Sequence, residues 1–313
     1  MKLRRMEKTA HILVIGGGFG GLTFCQQFHH PHARITIVDK HNHHLFQPLL
    51  YQVATAGLSA PEIAQPIRSI LSEREDITVL MDEVRDLNLT AKEVTLRERT
   101  LKYDYLVLAV GGCTGYFGHP EWAEFAPGLK SLEDAIRIRR QVLLAFERAE
   151  NESDPAERAR LMTLVVVGGG PTGVELAGAF AELLRQVLRK DFRHIDPTLA
   201  RVILIEASPR VLSNMDEALQ ISATEQLEKL GVQIRANIKV ANITAGRVEL
   251  TTGEVIHAAN ILWAAGVAAS PLGRALAEST GATLDRAGRV IVEPDLSLAG
   301  FPEISVAMSR IVP

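Results

Sequence analysis

Short runs of apolar residues punctuate the chain, and one arrangement of them occurs twice. The first copy is His11-Ile-Leu-Val-Ile-Gly-Gly-Gly-Phe-Gly-Gly21 and the second is Thr163-Leu-Val-Val-Val-Gly-Gly-Gly-Pro-Thr-Gly173. A continuous apolar run this short, rich in β-branched residues, predicts a strand buried on both faces, as in a parallel sheet. Each run feeds the spacing G-x-G-x-x-G, at Gly16, Gly18 and Gly21 and again at Gly168, Gly170 and Gly173. A helix-like stretch follows each time, and then a second apolar strand ending in an acid. These strands are Ile35–Val38 before Asp39, and Val202–Ile205 before Glu206.

The echo continues downstream. Ile77–Leu80, Val84–Leu89, Glu93–Arg97 and Tyr105–Val110 predict a strand, a small meander and a return strand running into Gly111. Val232–Arg235, Val240–Ile243, Arg247–Thr251 and Ile261–Ala264 repeat that order and end at Ala265 and Gly266. Gly231 suits the C′ position of a helix over Glu217–Leu230, and Thr252-Gly253 signals a turn. The second copy has a longer helix, Ala177–Arg189, and a charged loop to Pro197. Between the copies, Leu132–Arg148 has helical period, with Arg137, Arg139 and Arg140 on a solvated face, and polar Glu147–Arg160 is expected as an exposed connection. The repeat predicts an α/β chain with two Rossmann-like dinucleotide-binding domains, the second inserted in the first. The expected boundaries are 1–115 plus 285–313 for the first domain and 116–284 for the second.

Composition narrows the class. A chain of 313 residues, 47% hydrophobic and 23% charged, is long enough for two globular domains and too apolar for a disordered one. Its 34 basic and 37 acidic residues give a net charge of −3, which is no footprint for nucleic acid. Two cysteines, Cys25 and Cys113, supply neither a disulfide framework nor a zinc site, and both are expected as small buried hydrophobes in a reducing compartment. No Cys-x-x-Cys exists, which excludes a dithiol relay. His41, His43 and His44 have poor spacing for a closed metal site and are expected in a loop or beside the flavin, so no metal is predicted. The basic start lacks the apolar run of a signal peptide, and no apolar run approaches the ~20 residues needed to cross a bilayer.

The doubled motif carries the chemistry. The first glycine makes a tight turn, the second lets the backbone approach a pyrophosphate, and the third lets helix and strand pack closely. The pyrophosphate sits on the helix N-terminus and the acid accepts from the adenosine ribose. Two dinucleotides in one chain imply redox chemistry, and the duplicated order fits a flavin site first and a nicotinamide site second.

At this point the sequence resembles the two-dinucleotide-fold flavoprotein reductases. Within them, Asn42-His-His-Leu-Phe-Gln-Pro-Leu-Leu-Tyr-Gln-Val-Ala-Thr-Ala-Gly-Leu58 is very similar to type II NADH dehydrogenases, the NADH:quinone oxidoreductases. So are Tyr116-Phe117-Gly118, Gly168-Gly-Gly-Pro-Thr-Gly-Val-Glu-Leu-Ala-Gly178 and Leu262-Trp-Ala-Ala-Gly-Val267. The resemblance covers about residues 10–306, with 46–55 its most specific part. It implies FAD on Gly16, Gly18, Gly21 and Asp39, with Gln47 and Pro48 beside the isoalloxazine. Ala109 and Gly111 match an Ala-Thr-Gly at the end of the flavin-domain strand, with Val110 in place of the Thr. It implies NADH on Gly168, Gly170, Gly173 and Glu206, with Ala265 and Gly266 near the nicotinamide. The implied activity passes a hydride from NADH to FAD and electrons on to a quinone, without proton pumping. Glu206 predicts NADH over NADPH, whereas Arg210, four residues on, could favour the phosphate. Glu175 has two readings: an acid complementing the helix dipole, or a carboxylate relaying a proton between nicotinamide, flavin and quinone. Two other functions stay open: a flavin reductase serving a protein such as ferredoxin, and an inactive remnant.

The sequence departs from the family at its end. The family runs a strand like Pro302–Val306 into Gly-Asp, where Met308 and Ser309 stand here, and continues well past the position of Pro313. The resemblance therefore implies a C-terminally truncated chain. It would lack a quinone-site motif and the amphipathic helices that hold the family, usually homodimeric, on the cytoplasmic face of the membrane. Weak FAD retention and a soluble, cytoplasmic chain are the matching expectations.

Overall fold

The first apolar run forms strand Ala10–Ile15, the centre of a six-stranded sheet. The structure is a computed structural model and describes residues 9–307 and the backbone of 310 and 311. The sheet order is Ser297–Leu298, Phe301–Val306, Tyr105–Leu108, Ala10–Ile15, Ala33–Asp39, Ile77–Met81. Ala10–Ile15 pairs in parallel with Tyr105–Leu108 on one side and Ala33–Asp39 on the other. Its alternate residues serve opposite faces, as the two-residue period of a strand requires. Ile12 and Val14 pack with Leu22 and Cys25 of helix Phe19–Gln27. Leu13 and Ile15 pack with Leu87, Val94 and Leu96 of the meander Val84–Asn88, Glu93–Leu96 and Thr100–Lys102.

A four-stranded sheet repeats this plan: Gln233–Arg235, Arg201–Ile205, Thr163–Val167, Asn260–Trp263, all parallel. In both sheets the strand feeding the glycines lies between the return strand and the strand that ends in the acid. A second meander, Val240–Thr244, Arg247–Leu250 and Val255–His257, matches the first. Third meander strands, Thr100–Lys102 and Val255–His257, join the two pairs expected from sequence.

The chain divides into two compact units. One comprises Met1–Leu45, Ala64–Cys113 and Val267–Pro313, and the other Phe46–Ile63 and Thr114–Gly266. Two segments lie elsewhere than the expected boundaries placed them. Residues 267–284 go with the first unit, because helix Pro271–Thr280 buries Leu276 in the core that holds Leu13 and Leu108. Residues 46–63 go with the second, because helix Leu50–Ala54 buries Leu50, Val53 and Ala54 and packs on helices Leu132–Asn151 and Pro171–Glu182.

Local structure also differs at two places. The expected exposed connection at 147–160 is mostly helical. Helix Leu132–Asn151 runs on through it, and Asp154 caps a second helix, Pro155–Leu161, by accepting from the Ala156 N–H at 3.1 Å. The capping acid and the proline at the first helical position outweigh the polarity of the segment. The helix expected over 177–189 starts earlier, at Pro171, and ends at Glu182. It passes into a wider π turn, Leu183–Val187, and a short 3₁₀ turn, Leu188–Lys190. As predicted, helix Glu217–Lys229 ends at Gly231 with φ of 80°, and the Val232 N–H bonds back to the Leu227 carbonyl at 2.9 Å.

Candidate functional site

The two glycine-rich turns share one construction. Gly16 has φ of 103° and Gly168 of 109°, a region that favours glycine. A Cβ on Gly16 would lie 2.3 Å from the Ala109 carbonyl oxygen, and one on Gly168 2.5 Å from Ala265 Cα. The first glycine thus lets the turn touch the end of the return strand in both units. A Cβ on Gly21 would lie 1.9 Å from the Gly16 carbonyl oxygen, and one on Gly173 1.8 Å from that of Gly168. The third glycine therefore lets each helix settle onto its own turn. At Gly18 and Gly170 the space where a Cβ would point holds no protein atom within 4 Å. Each of these two glycines starts its helix without a side-chain cap. A pyrophosphate can approach the backbone there, and the helix N-terminus favours its charge.

Sequence reasoning missed the middle glycines and their part in fixing the acids. The Gly17 N–H donates to Asp39 Oδ2 at 2.6 Å and the His41 N–H to Oδ1 at 2.7 Å. The Gly169 N–H donates to Glu206 Oε2 at 2.5 Å and the Ser208 N–H to Oε1 at 2.7 Å. Each carboxylate is held by two backbone donors and keeps lone pairs for a ribose hydroxyl. The available signal was the unbroken Gly-Gly-Gly in both copies. His44, expected in a loop or beside the flavin, lies in the short strand His43–Leu45, and its Nδ1 is 3.1 Å from the Gly17 carbonyl oxygen of the first turn. That nitrogen therefore carries the proton, and the ring meets Phe19 edge to face at 5.0 Å.

In the first unit the Ala109 N–H donates to the Ile15 carbonyl at 2.8 Å, which places Ala109 against Gly16. Gly111 has φ of 65° and open space around its missing Cβ. Val110 and Gly111 line a cavity of about 300 Å³ with Ala268, Ser270, Arg289 and Ala307. Met308 and Ser309, on which the expectation of weak flavin retention rests, lie outside the described residues.

In the second unit the Ala264 N–H bonds to the Val167 carbonyl at 2.7 Å, setting Ala265 against Gly168. The Gly266 carbonyl accepts from the Gly115 N–H at 3.1 Å, and a Cβ on Gly266 would lie 2.4 Å from the Gly115 oxygen. Trp263 Nε1 donates to that same oxygen at 2.8 Å while its ring stacks on Tyr116. Gln47 and Pro48 are exposed, and Gln47 Nε2 lies 3.5 Å from the Lys130 carbonyl. The structure thus places these two residues with the second glycine motif's unit and not with the first.

Glu175 lies in the second turn of helix Pro171–Glu182, whose first turn carries no acid. The helix dipole acts within the first turn, so the dipole reading loses its basis. The side chain reaches the surface, yet desolvation by the surrounding protein pushes its carboxyl above the usual carboxylate range.

Of the two cysteines, Cys25 is buried as expected and Cys113 is not. Cys25 is buried and its thiol is pushed up to about 12 by desolvation. Cys113 is exposed, with Sγ at 3.6 and 3.5 Å from the carbonyls of Ala268 and Ala269. Its position just past the return strand puts it beyond the core. Among the described residues no group of three His, Cys, Asp or Glu side chains could hold a metal ion.

Comparison with known proteins adds relatives and a family. The chain is 45% identical over 303 residues to the type II NADH:quinone oxidoreductase Ndh of Mycobacterium tuberculosis, covering 94% of this chain and 65% of that protein. It is 28% identical over 311 residues to a probable NADH dehydrogenase of Dictyostelium discoideum, covering 97% of this chain and 68% of that protein. The chain thus spans about two thirds of the length of these curated relatives. Its fold matches NDH2 of Plasmodium falciparum, solved in complex with NADH, with a TM-score of 0.89 at 22% identity over 97% of this chain and 65% of that one. The family model described as pyridine nucleotide-disulphide oxidoreductase matches residues 10–307. That match takes in both glycine turns, their sheets and their acids, and the chain belongs to the pyridine nucleotide-disulphide oxidoreductases.

Proposed function

We propose that the chain is an FAD-dependent NADH:quinone oxidoreductase of type II, with FAD on the first unit and NADH on the second. The observation that carries this reading is the doubled turn, in which Gly17 holds Asp39 and Gly169 holds Glu206 beside open approaches at Gly18 and Gly170. The 45% identity to a mycobacterial type II NADH:quinone oxidoreductase supports the choice of substrates.

The residues fit both dinucleotides. Gly18 and Gly170 leave the backbone open where a side chain would block a pyrophosphate. Asp39 and Glu206 orient the adenosine riboses as acceptors, and Glu206 disfavours a 2′-phosphate by like charge. When bound, the flavin supplies the hydride acceptor that no side chain offers. Glu175 offers a carboxyl that could relay a proton, and desolvation raises its affinity for one. Among the described residues no helix is long and apolar enough to cross a membrane.

The test is NADH oxidation by the purified chain with FAD supplied, using a soluble quinone analogue and, separately, a ferredoxin. Faster reduction of the quinone is expected. Faster reduction of the ferredoxin would move the chain to the ferredoxin-type reductases, and no oxidation with either acceptor would mark it as inactive.

A further inference from the structure

Two arginines whose backbone lies beside the strand-end acid of the second motif have acidic partners of their own. Arg210 sits on the loop after Glu206, between two fixed points. The Ser208 N–H bonds to Glu206 Oε1 at 2.7 Å, and the Leu212 N–H bonds to the Gly169 carbonyl at 2.7 Å. The loop is thus tied at one end to the acid and at the other to the glycine turn, and Arg210 is carried close to the ribose edge of the site. Its guanidinium does not wait there for a ligand. Nη1 is paired with Glu217 Oε1, from the first residue of helix Glu217–Lys229. Arg235, whose carbonyl accepts from the Glu206 N–H at 2.9 Å, is also occupied: Nη2 lies 3.7 Å from Glu254 Oε1.

We propose that Glu217 is a specificity-determining residue, selecting NADH over NADPH by holding Arg210 in an ion pair and so withholding it from a 2′-phosphate. The inference rests on the second motif being the NADH site. An arginine at this edge is the residue type that accommodates a 2′-phosphate in dinucleotide folds, because its planar fork matches phosphate oxygens bidentately. Glu206 sets the preference by repulsion, and Glu217 removes the cation that would oppose it. Both members of the Arg210–Glu217 pair are exposed, so the effect is modest and weakens with salt.

The test is direct binding of NADH and of NADPH to the purified full chain, followed by calorimetry at low ionic strength. Glu217→Gln is expected to lower the ratio of the NADPH to the NADH dissociation constant by about two- to fivefold, the range of an exposed pair. Arg210→Ala in that background should restore the parent ratio, a reversal that a merely structural role for Glu217 as a helix-start acid would not produce. A ratio unmoved by Glu217→Gln, or lowered equally in the double variant, overturns the proposal. Absence of NADH binding to the unaltered chain overturns the nucleotide reading of the second motif, and this inference with it.

Discussion

At the scale of single residues, the carboxylates of Asp39 and Glu206 work on the protein before any ligand arrives. Each ties its strand end to the middle glycine of the turn. Asp39→Ala would leave the Gly17 and His41 N–H groups without this acceptor, at a cost of about 1–3 kcal/mol for each donor left buried. The variant should bind added FAD more weakly than the unaltered chain, which a titration followed by flavin fluorescence would show. Glu175→Gln tests the proton-holding role. Loss of an acid–base group costs on the order of 10²-fold in turnover, and the expected outcome is that fall in kcat with KM for NADH little changed. Unaltered kcat would assign Glu175 to the surface. His11 gives a pH dependence of stability. Desolvation holds its imidazole below the ordinary value of 6.5, while Nδ1 meets the Lys102 carbonyl at 2.6 Å and Nε2 the Thr36 hydroxyl at 2.8 Å. The unfolded chain therefore binds a proton that the folded chain resists. The contribution is complete above pH 6.5 and is lost as pH falls through the lowered folded value. Urea unfolding of His11→Gln should depend less steeply on pH across that window.

At the scale of elements, helix Leu132–Asn151 was legible from its period, and its start is fixed by a capping box. Ser131 accepts from the Asp134 N–H at 3.1 Å, and Asp134 Oδ2 accepts from the Ser131 N–H at 2.9 Å. Ser131→Ala should lower unfolding stability by about 1 kcal/mol. The length of this helix was less legible. Its last turn is polar, yet Glu150 there is paired with distant backbone. Its carboxylate accepts from the N–H groups of Arg193, His194 and Ile195 at 2.8 to 3.1 Å. Such a partner, more than forty residues away, leaves no mark in local composition.

At the scale of the whole molecule, the same four-strand parallel order, within a six-stranded sheet in one unit and making up the whole sheet in the other, carries the same turn. Each turn has its own steric lock, so each site should fail alone. Gly21→Ala puts a methyl against the Gly16 carbonyl and should abolish binding of added FAD while NADH still binds. Gly173→Ala does the same against Gly168 and should abolish NADH binding while added FAD still binds as in the unaltered chain. Loss of both ligands in either variant would contradict independent sites.

The sequence by itself determined the elements whose cause is local. The apolar runs at 12–15 and 164–167 are buried strands because no polar residue interrupts them. The glycine spacing dictates a tight turn into a helix, and Gly231 stops a helix because it tolerates positive φ. The repeat extended this to the order of elements along both halves and to the pairing of each turn with an acid. Tertiary structure decided what depends on distant partners. Residues 46–63 lie with the second unit because Leu50 and Val53 find their apolar surface on helices Leu132–Asn151 and Pro171–Glu182. Helix Pro271–Thr280 lies with the first because Leu276 fills its core. Glu175 shows the same division within one residue. Sequence supplied the carboxyl, but only the fold placed it past the first helical turn and desolvated it, because burial depends on what packs around a position.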